Sequence, residues 1–170
     1  MKKLFFLALG LLALSACQEK QYFKESPEID LVKKGIAAYF SGDWETFRAG
    51  YADTAKIAVN VWDEDKWVGP DAYIEGLKSN LTNYAEYNIG ENPVYEMIVT
   101  DEGDKWVHAW FLHSGKTNGG KDVTTPVNVS FFVKDNKIAM QIDIFNALPG
   151  YLARQPAASM EPADSTMVSE

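Results

Sequence analysis

The chain has 170 residues, 46% of them hydrophobic and 13% aromatic, which is enough for one compact core and short of what two comfortable domains need. Its formal charge of −8, from 24 acidic against 16 basic side chains, argues against a grip on nucleic-acid phosphates and against electrostatic adhesion to anionic lipid. One cysteine, Cys17, rules out an intrachain disulfide, so the core must suffice alone.

The opening residues MKKLFFLALGLLALSA place Lys2 and Lys3 ahead of an apolar run from Leu4 to Leu14, followed by the small residues Ser15 and Ala16. This is the pattern of a secretory signal over residues 1–16, and it falls short of the about 20 residues a spanning helix needs. Leu14-Ser15-Ala16-Cys17 resembles the bacterial lipobox, which implies cleavage before Cys17 and a diacylglyceryl group on its thiol. Acyl chains contribute about 0.8 kcal/mol per buried methylene, so such a residue tethers a protein to a membrane without embedding it. The expected location is the bacterial cell envelope, and the resemblance implies the outer membrane, because Gln18 replaces the Asp that signals inner-membrane retention. Residues 17–26 then read as lipidated cysteine and polar tether, 27–153 as the domain, and 154–170, polar and punctuated by proline, as a disordered tail.

Ser26-Pro27-Glu28 opens a helix with a hydroxyl cap, a proline whose missing N–H is harmless at the first position, and an acid facing the dipole. Ile29, Val32, Ile36 and Phe40 follow at helical spacing. In FSGDWETF, Gly42 suits the left-handed residue past a helix end and Asp43 can cap the next helix, whose stripe is Trp44, Phe47 and Tyr51. Asp53 ends that helix or turns the chain into a strand over Ala55–Trp62, and Asp63-Glu64-Asp65 is the acidic exit. Gly69-Pro70-Asp71 starts a third helix with Ile74, Leu77, Leu81 and Tyr84 on its buried side. The period then changes to two. Strands are expected over Val94–Thr100, Lys105–Lys116, Val123–Lys134 and Lys137–Asn146, the last two joined by an Asp135-Asn136 hairpin turn.

Helices followed by a long antiparallel meander give an α+β order. That order, with the phrases IAAYFSGDWETFRAGYADTAKI, GPDAYIEGLK, KWVHAWFLHSGK and NKIAMQIDIFNALPGYL, resembles the SnoaL-like branch of the nuclear transport factor 2-like superfamily from Ile29 to Leu152. The resemblance implies a cone-shaped fold in which a curved antiparallel sheet wraps about three N-terminal helices around an apolar pocket, and a homodimer formed through the outer sheet face. It does not imply one reaction, because relatives include polyketide cyclases, ketosteroid isomerases, epoxide hydrolases and proteins that only bind or assemble. Active relatives carry a last strand of the type Asp-Tyr-Phe-Asp where this chain has Asp143-Ile144-Phe145-Asn146. Asp143 and Phe145 match. Asn146 replaces an acid with a group that has no proton to exchange near neutral pH.

Proton chemistry in an apolar pocket needs a desolvated carboxylate or histidine. Asp143 is the candidate acid, and strand alternation sets it on the face of Gln141 and Phe145, which lines the cone or faces solvent. Trp106, His108, Trp110 and Leu112 share one strand face, and Val107, Ala109, Phe111 and His113 the other. The first set reads as a polar handle among aromatics or as a histidine bonded within a sheet or dimer interface. Candidate ligand-binding residues are Tyr39, Trp106, Trp110, Asn128, Phe145 and Asn146, with Tyr51 and Tyr73 offering further hydroxyls. His108 and His113 point oppositely and cannot share a metal. No Gly-rich phosphate loop or Gly-x-Ser-x-Gly elbow occurs, so neither a cofactor nor a metal is expected. The leading expectation is a domain that binds a small, largely apolar molecule or a protein partner without turnover. The alternatives are an isomerase, cyclase or hydrolase using Asp143 and His108, and a dimeric assembly subunit.

Overall fold

A computed structural model describes residues 21–155. The expected signal segment, Cys17 and the expected tail from residue 156 onward lie outside the described residues. The elements run β1 (Tyr22–Phe23), α1 (Pro27–Ser41), α2 (Trp44–Ala49), β2 (Tyr51–Val59), a 3₁₀ turn (Glu64–Lys66), α3 (Pro70–Leu81), β3 (Tyr84–Ile89), β4 (Val94–Val99), β5 (Lys105–Thr117), β6 (Asp122–Lys134), β7 (Lys137–Phe145) and α4 (Leu148–Arg154).

The caps follow the local chemistry. Ser26 accepts a hydrogen bond from the Ile29 amide at 3.1 Å. Gly42 closes α1 in the left-handed region at φ 73°, and Asp43 accepts from the Thr46 amide at 3.0 Å to start α2. FSGDWETF is therefore a corner. Asp135 and Asn136 both take positive φ in the tight β6–β7 hairpin, as a turn matched to the strand twist requires.

Two helices end earlier than the helical spacing implies. Tyr51 leaves the helix and opens β2, because it pairs with Ile138 while the Ile138 amide bonds the Gly50 carbonyl at 2.9 Å. Asp53 accordingly lies in β2, bound by Arg48 at 2.9 Å. Tyr84 begins β3 and pairs with Thr117. In each case sheet pairing overrides a local periodicity. β1 pairs with β4 inside the expected tether, and α4 carries helix one residue past the expected domain end, to Arg154.

The strands form one curved, mostly antiparallel sheet in the order β1-β4-β5-β6-β7-β2, with β3 against the far half of β5. β2 joins β7 in parallel. The helices α1 to α3 fill the concave side. Ile29, Val32, Ile36 and Phe47 meet Val107, Ala109, Val129, Phe131 and Ile138, all buried. Glu28, buried at the start of α1, accepts from Lys105 of β5 and ties that helix to the sheet.

Candidate active site

Between the helices and β5 to β7 the core leaves a cavity of about 320 Å³, whose mouth lies by α4. Its walls are apolar, including Val32, Ile36, Phe47, Val129, Phe131 and Ile138. The polar side chains that project into the cavity include Tyr39, Tyr51, Tyr73, His113, Thr125, Gln141 and Asp143.

Asp143 is 5% exposed. One carboxylate oxygen, Oδ2, accepts from the Tyr73 hydroxyl at 2.6 Å, and Oδ1 accepts from Gln141 Nε2 at 2.6 Å. Gln141 Nε2 also donates to Tyr73 Oη at 2.9 Å, while the Tyr51 hydroxyl donates to Gln141 Oε1. Burial pushes the Asp143 carboxyl up to about 6, against the opposing pull of the bonds from Tyr73 and Gln141. Desolvation penalises the charge more than two neutral donors repay it. Burial also drives the Tyr73 and Tyr51 hydroxyls well above the ordinary phenol range, and the nearby Asp143 charge adds to it. Both phenols therefore stay protonated as donors.

Asp143 is held from the other side as well. Asn60, in the left-handed region at φ 51°, ends β2, donates its amide to the Asp143 carbonyl at 2.9 Å and accepts from the Phe145 amide at 2.9 Å. The strand end that carries the acid is thus pinned by one backbone bond and one bond to the Asn60 side chain.

A second polar pair lines the same cavity. Tyr39 Oη and His113 Nε2 lie 3.0 Å apart. Burial lowers the His113 pKa and raises that of Tyr39, to which Asp143 also contributes. Both partners are neutral near pH 7, and the tautomer of His113 decides which of them donates. The His113 ring stacks on Tyr87, 6.4 Å between centroids.

No protein-family model and no curated protein matches the chain by sequence. Solved structures do resemble it in shape. A candidate polyketide cyclase from Xanthomonas campestris pv. campestris aligns over 75% of this chain and 95% of its own, at 21% identity and a TM-score of 0.59. A nuclear transport factor 2-like protein from Burkholderia xenovorans LB400 aligns over 78% of this chain and 100% of its own, at 14% identity and a TM-score of 0.59. The fold is nuclear transport factor 2-like. A candidate SnoaL-like polyketide cyclase from Shewanella denitrificans OS-217 agrees, with 17% identity, a TM-score of 0.58 and coverage of 76% and 97%.

Within the nuclear transport factor 2-like cone, the sequence candidates divide by sheet face. Asp143, Tyr39, Phe145 and Asn146 line the cavity. Asn146 sits exposed at the mouth, where its side chain accepts from the Leu148 amide at 3.0 Å and shapes the start of α4. The amide thus stands at the rim.

Trp106, His108, Trp110 and Asn128 stand on the outer face, away from the cavity. The register sets Trp110 beside Val94 and Asn128, and His108 beside Glu96 and Ser130. His108 Nδ1 is bonded to Ser130 Oγ at 2.9 Å, and its ring stacks on Trp110. A pairing of Asp143 with His108 is excluded, because the sheet lies between them. The reason is the pleat: the row that packs on the helices is Val107, Ala109, Phe111 and His113, which carries the other histidine inward. Alternation had separated the two rows; what marks the inner one is its small and branched residues, with Val107 and Ala109 both at 0% exposure. Gln141, the link between the two phenols and the acid, carried no signal beyond sharing a face with Asp143.

Proposed function

We propose that the protein is an acid–base enzyme acting on a small, largely apolar molecule, with Asp143 as the proton carrier. The observation that carries this reading is a carboxyl 5% exposed in an apolar cavity and pushed up to about 6. Such a group is ionised at neutral pH yet basic enough to take a proton from carbon. In the reaction that fits, Asp143 removes a proton from a carbon next to a carbonyl. The electron pair moves onto the carbonyl oxygen, and the proton returns at the same or a conjugated carbon. A Tyr39 hydroxyl that receives its own bond from His113 is free to donate to that oxygen, and the charge developing there gains most from a donor held in a dry site.

Binding without turnover is the second reading. It is favoured by the occupation of both Asp143 oxygens by Tyr73 and Gln141. Proton exchange separates the two: 2-tetralone, a small carbon acid, is incubated with the protein in deuterated water and its deuterium content followed by mass spectrometry. Catalysis predicts exchange whose rate rises as Asp143 ionises near pH 6 and falls about 10²–10³-fold in Asp143→Asn. Tight binding with no acceleration over Asp143→Asn would leave only the binding reading.

We also propose that Cys17 anchors the chain to the envelope through lipid, and that two copies pair through the outer sheet face. The second is supported by a row across four strands, Val94, Trp110, Asn128 and Ile144. Three of the four are large apolar residues exposed at 53%, 37% and 52%.

A further inference from the structure

The cavity mouth has a chemistry of its own. Arg154 of α4 lines it together with Tyr84, Asn80, Asn146 and Gly150. The sequence holds two arginines. Arg48 is held by Asp53 at 2.9 Å and Asp71 at 2.6 Å. Arg154 has no carboxylate partner among the described residues. Its polar contact is a long donation from Nη1 to Tyr84 Oη at 3.5 Å, which leaves most of the guanidinium fork unengaged.

Two glycines make room for this arrangement. A Cβ on Gly150 would stand 3.1 Å from Tyr84 Oη and 3.3 Å from Arg154 Nη1. One on Gly115 would stand 2.9 Å from the Tyr84 ring. Bare backbone at both positions lets the phenol and the guanidinium meet over the opening.

The two ends of the cavity therefore differ in charge: a buried acid at the inner wall and, at the rim, a cation without a carboxylate partner among the described residues. We infer that Arg154, with Tyr84 and Asn80, clamps an anionic group of the ligand, so that the ligand is an amphipathic organic anion with its apolar body inside and its charge at the mouth. This deepens the proposed function and rests on its reading of the cavity. A charge placed at the inner end would face the ionised Asp143, and like charges brought together in a desolvated site repel strongly. The clamp thus orients the ligand, carbon skeleton toward the carboxylate.

Two dyes with one skeleton test it. N-phenyl-1-naphthylamine is neutral, and 1-anilinonaphthalene-8-sulfonate adds a single sulfonate. Their fluorescence is titrated against the protein and against Arg154→Gln, and each dye is competed with the other. The expected result is mutual displacement, tighter binding of the sulfonate by wild type, and a loss of about tenfold for the sulfonate alone in Arg154→Gln, the scale of one charge-assisted hydrogen bond at a solvated rim. Unchanged binding of the neutral dye shows that the variant is folded. If both dyes bind and Arg154→Gln affects them equally or not at all, the clamp is refuted while the cavity reading stands. If the sulfonate binds without displacing the neutral dye, the clamp is refuted as well. If neither binds, the clamp and the apolar cavity reading fall together.

Discussion

Tyr73 and Asp143, 70 residues apart, share a hydrogen bond of 2.6 Å inside the core, the phenol donating to a carboxylate oxygen. This bond opposes the upward push that burial exerts on the Asp143 carboxyl. Replacing Tyr73 by Phe removes this part of the opposition, leaves the bond from Gln141, and keeps the ring. The midpoint of the Asp143 titration, followed by carbon-13 NMR of the side-chain carboxyl, should move above its wild-type position near 6. The pH at which proton exchange becomes fast should move up with it. An unmoved midpoint would mean that the Tyr73 bond does little to stabilise the charged form.

The same carboxyl links stability to pH. Its folded pKa is raised above the ordinary carboxylate value, so the folded state takes up the proton more readily than the unfolded one. The corresponding stabilisation is complete below about pH 4 and lost as pH climbs through about 6. At neutral pH the buried charge costs on the order of 3 kcal/mol. Asp143→Asn has no charge to bury. Urea unfolding of both proteins should show the variant gaining on wild type between about pH 4 and about pH 7.5, by about 2–3 kcal/mol. A difference that is flat with pH would contradict the desolvated acid.

How much of this was legible beforehand can be argued from particular residues. Caps are local chemistry, so Ser26, Gly42 and Asp43 announced the helix ends. Strand alternation is also local, and it correctly separated Trp106, His108 and Trp110 from Val107, Ala109 and His113. Which row faces inward is a tertiary fact. Two tryptophans beside a histidine imitate a pocket lining, yet they stand on the outer face because the smaller row fits against the helices. Tyr51 and Tyr84 continued a helical spacing by coincidence, and only pairing with Ile138 and Thr117 moved them into strands. β1 has two residues and no periodicity to read, and is defined by β4.

The outer row makes a direct prediction about assembly. Trp110, 37% exposed beside Val94, lies at the centre of the proposed dimer contact. Sedimentation velocity should find wild type at twice the monomer mass and Trp110→Glu at the monomer mass, with both giving the same far-ultraviolet spectrum. The surface charge weakens association and leaves the inward core untouched. A monomeric wild type at micromolar concentration would remove the proposal.

The proposed anchoring rests on Cys17. Cells expressing the full chain and fed labelled palmitate should yield a labelled, membrane-bound protein, and Cys17→Ser should abolish the label and release the protein on fractionation. One diacylated residue with an added acyl chain is enough for stable retention. Wild type that takes up no label would refute the anchor.

The parallel union of β2 with β7 bears on how the chain reaches its native state. β2 belongs to the first half of the sequence, while β7 is the last strand and carries Asp143. A parallel pair cannot be closed by a hairpin, and the long excursion between these two is slow to close because its entropy is lost before the contacts form. Burial of the Asp143 carboxyl is therefore coupled to this long-range closure, since the acid sits on the strand that makes it.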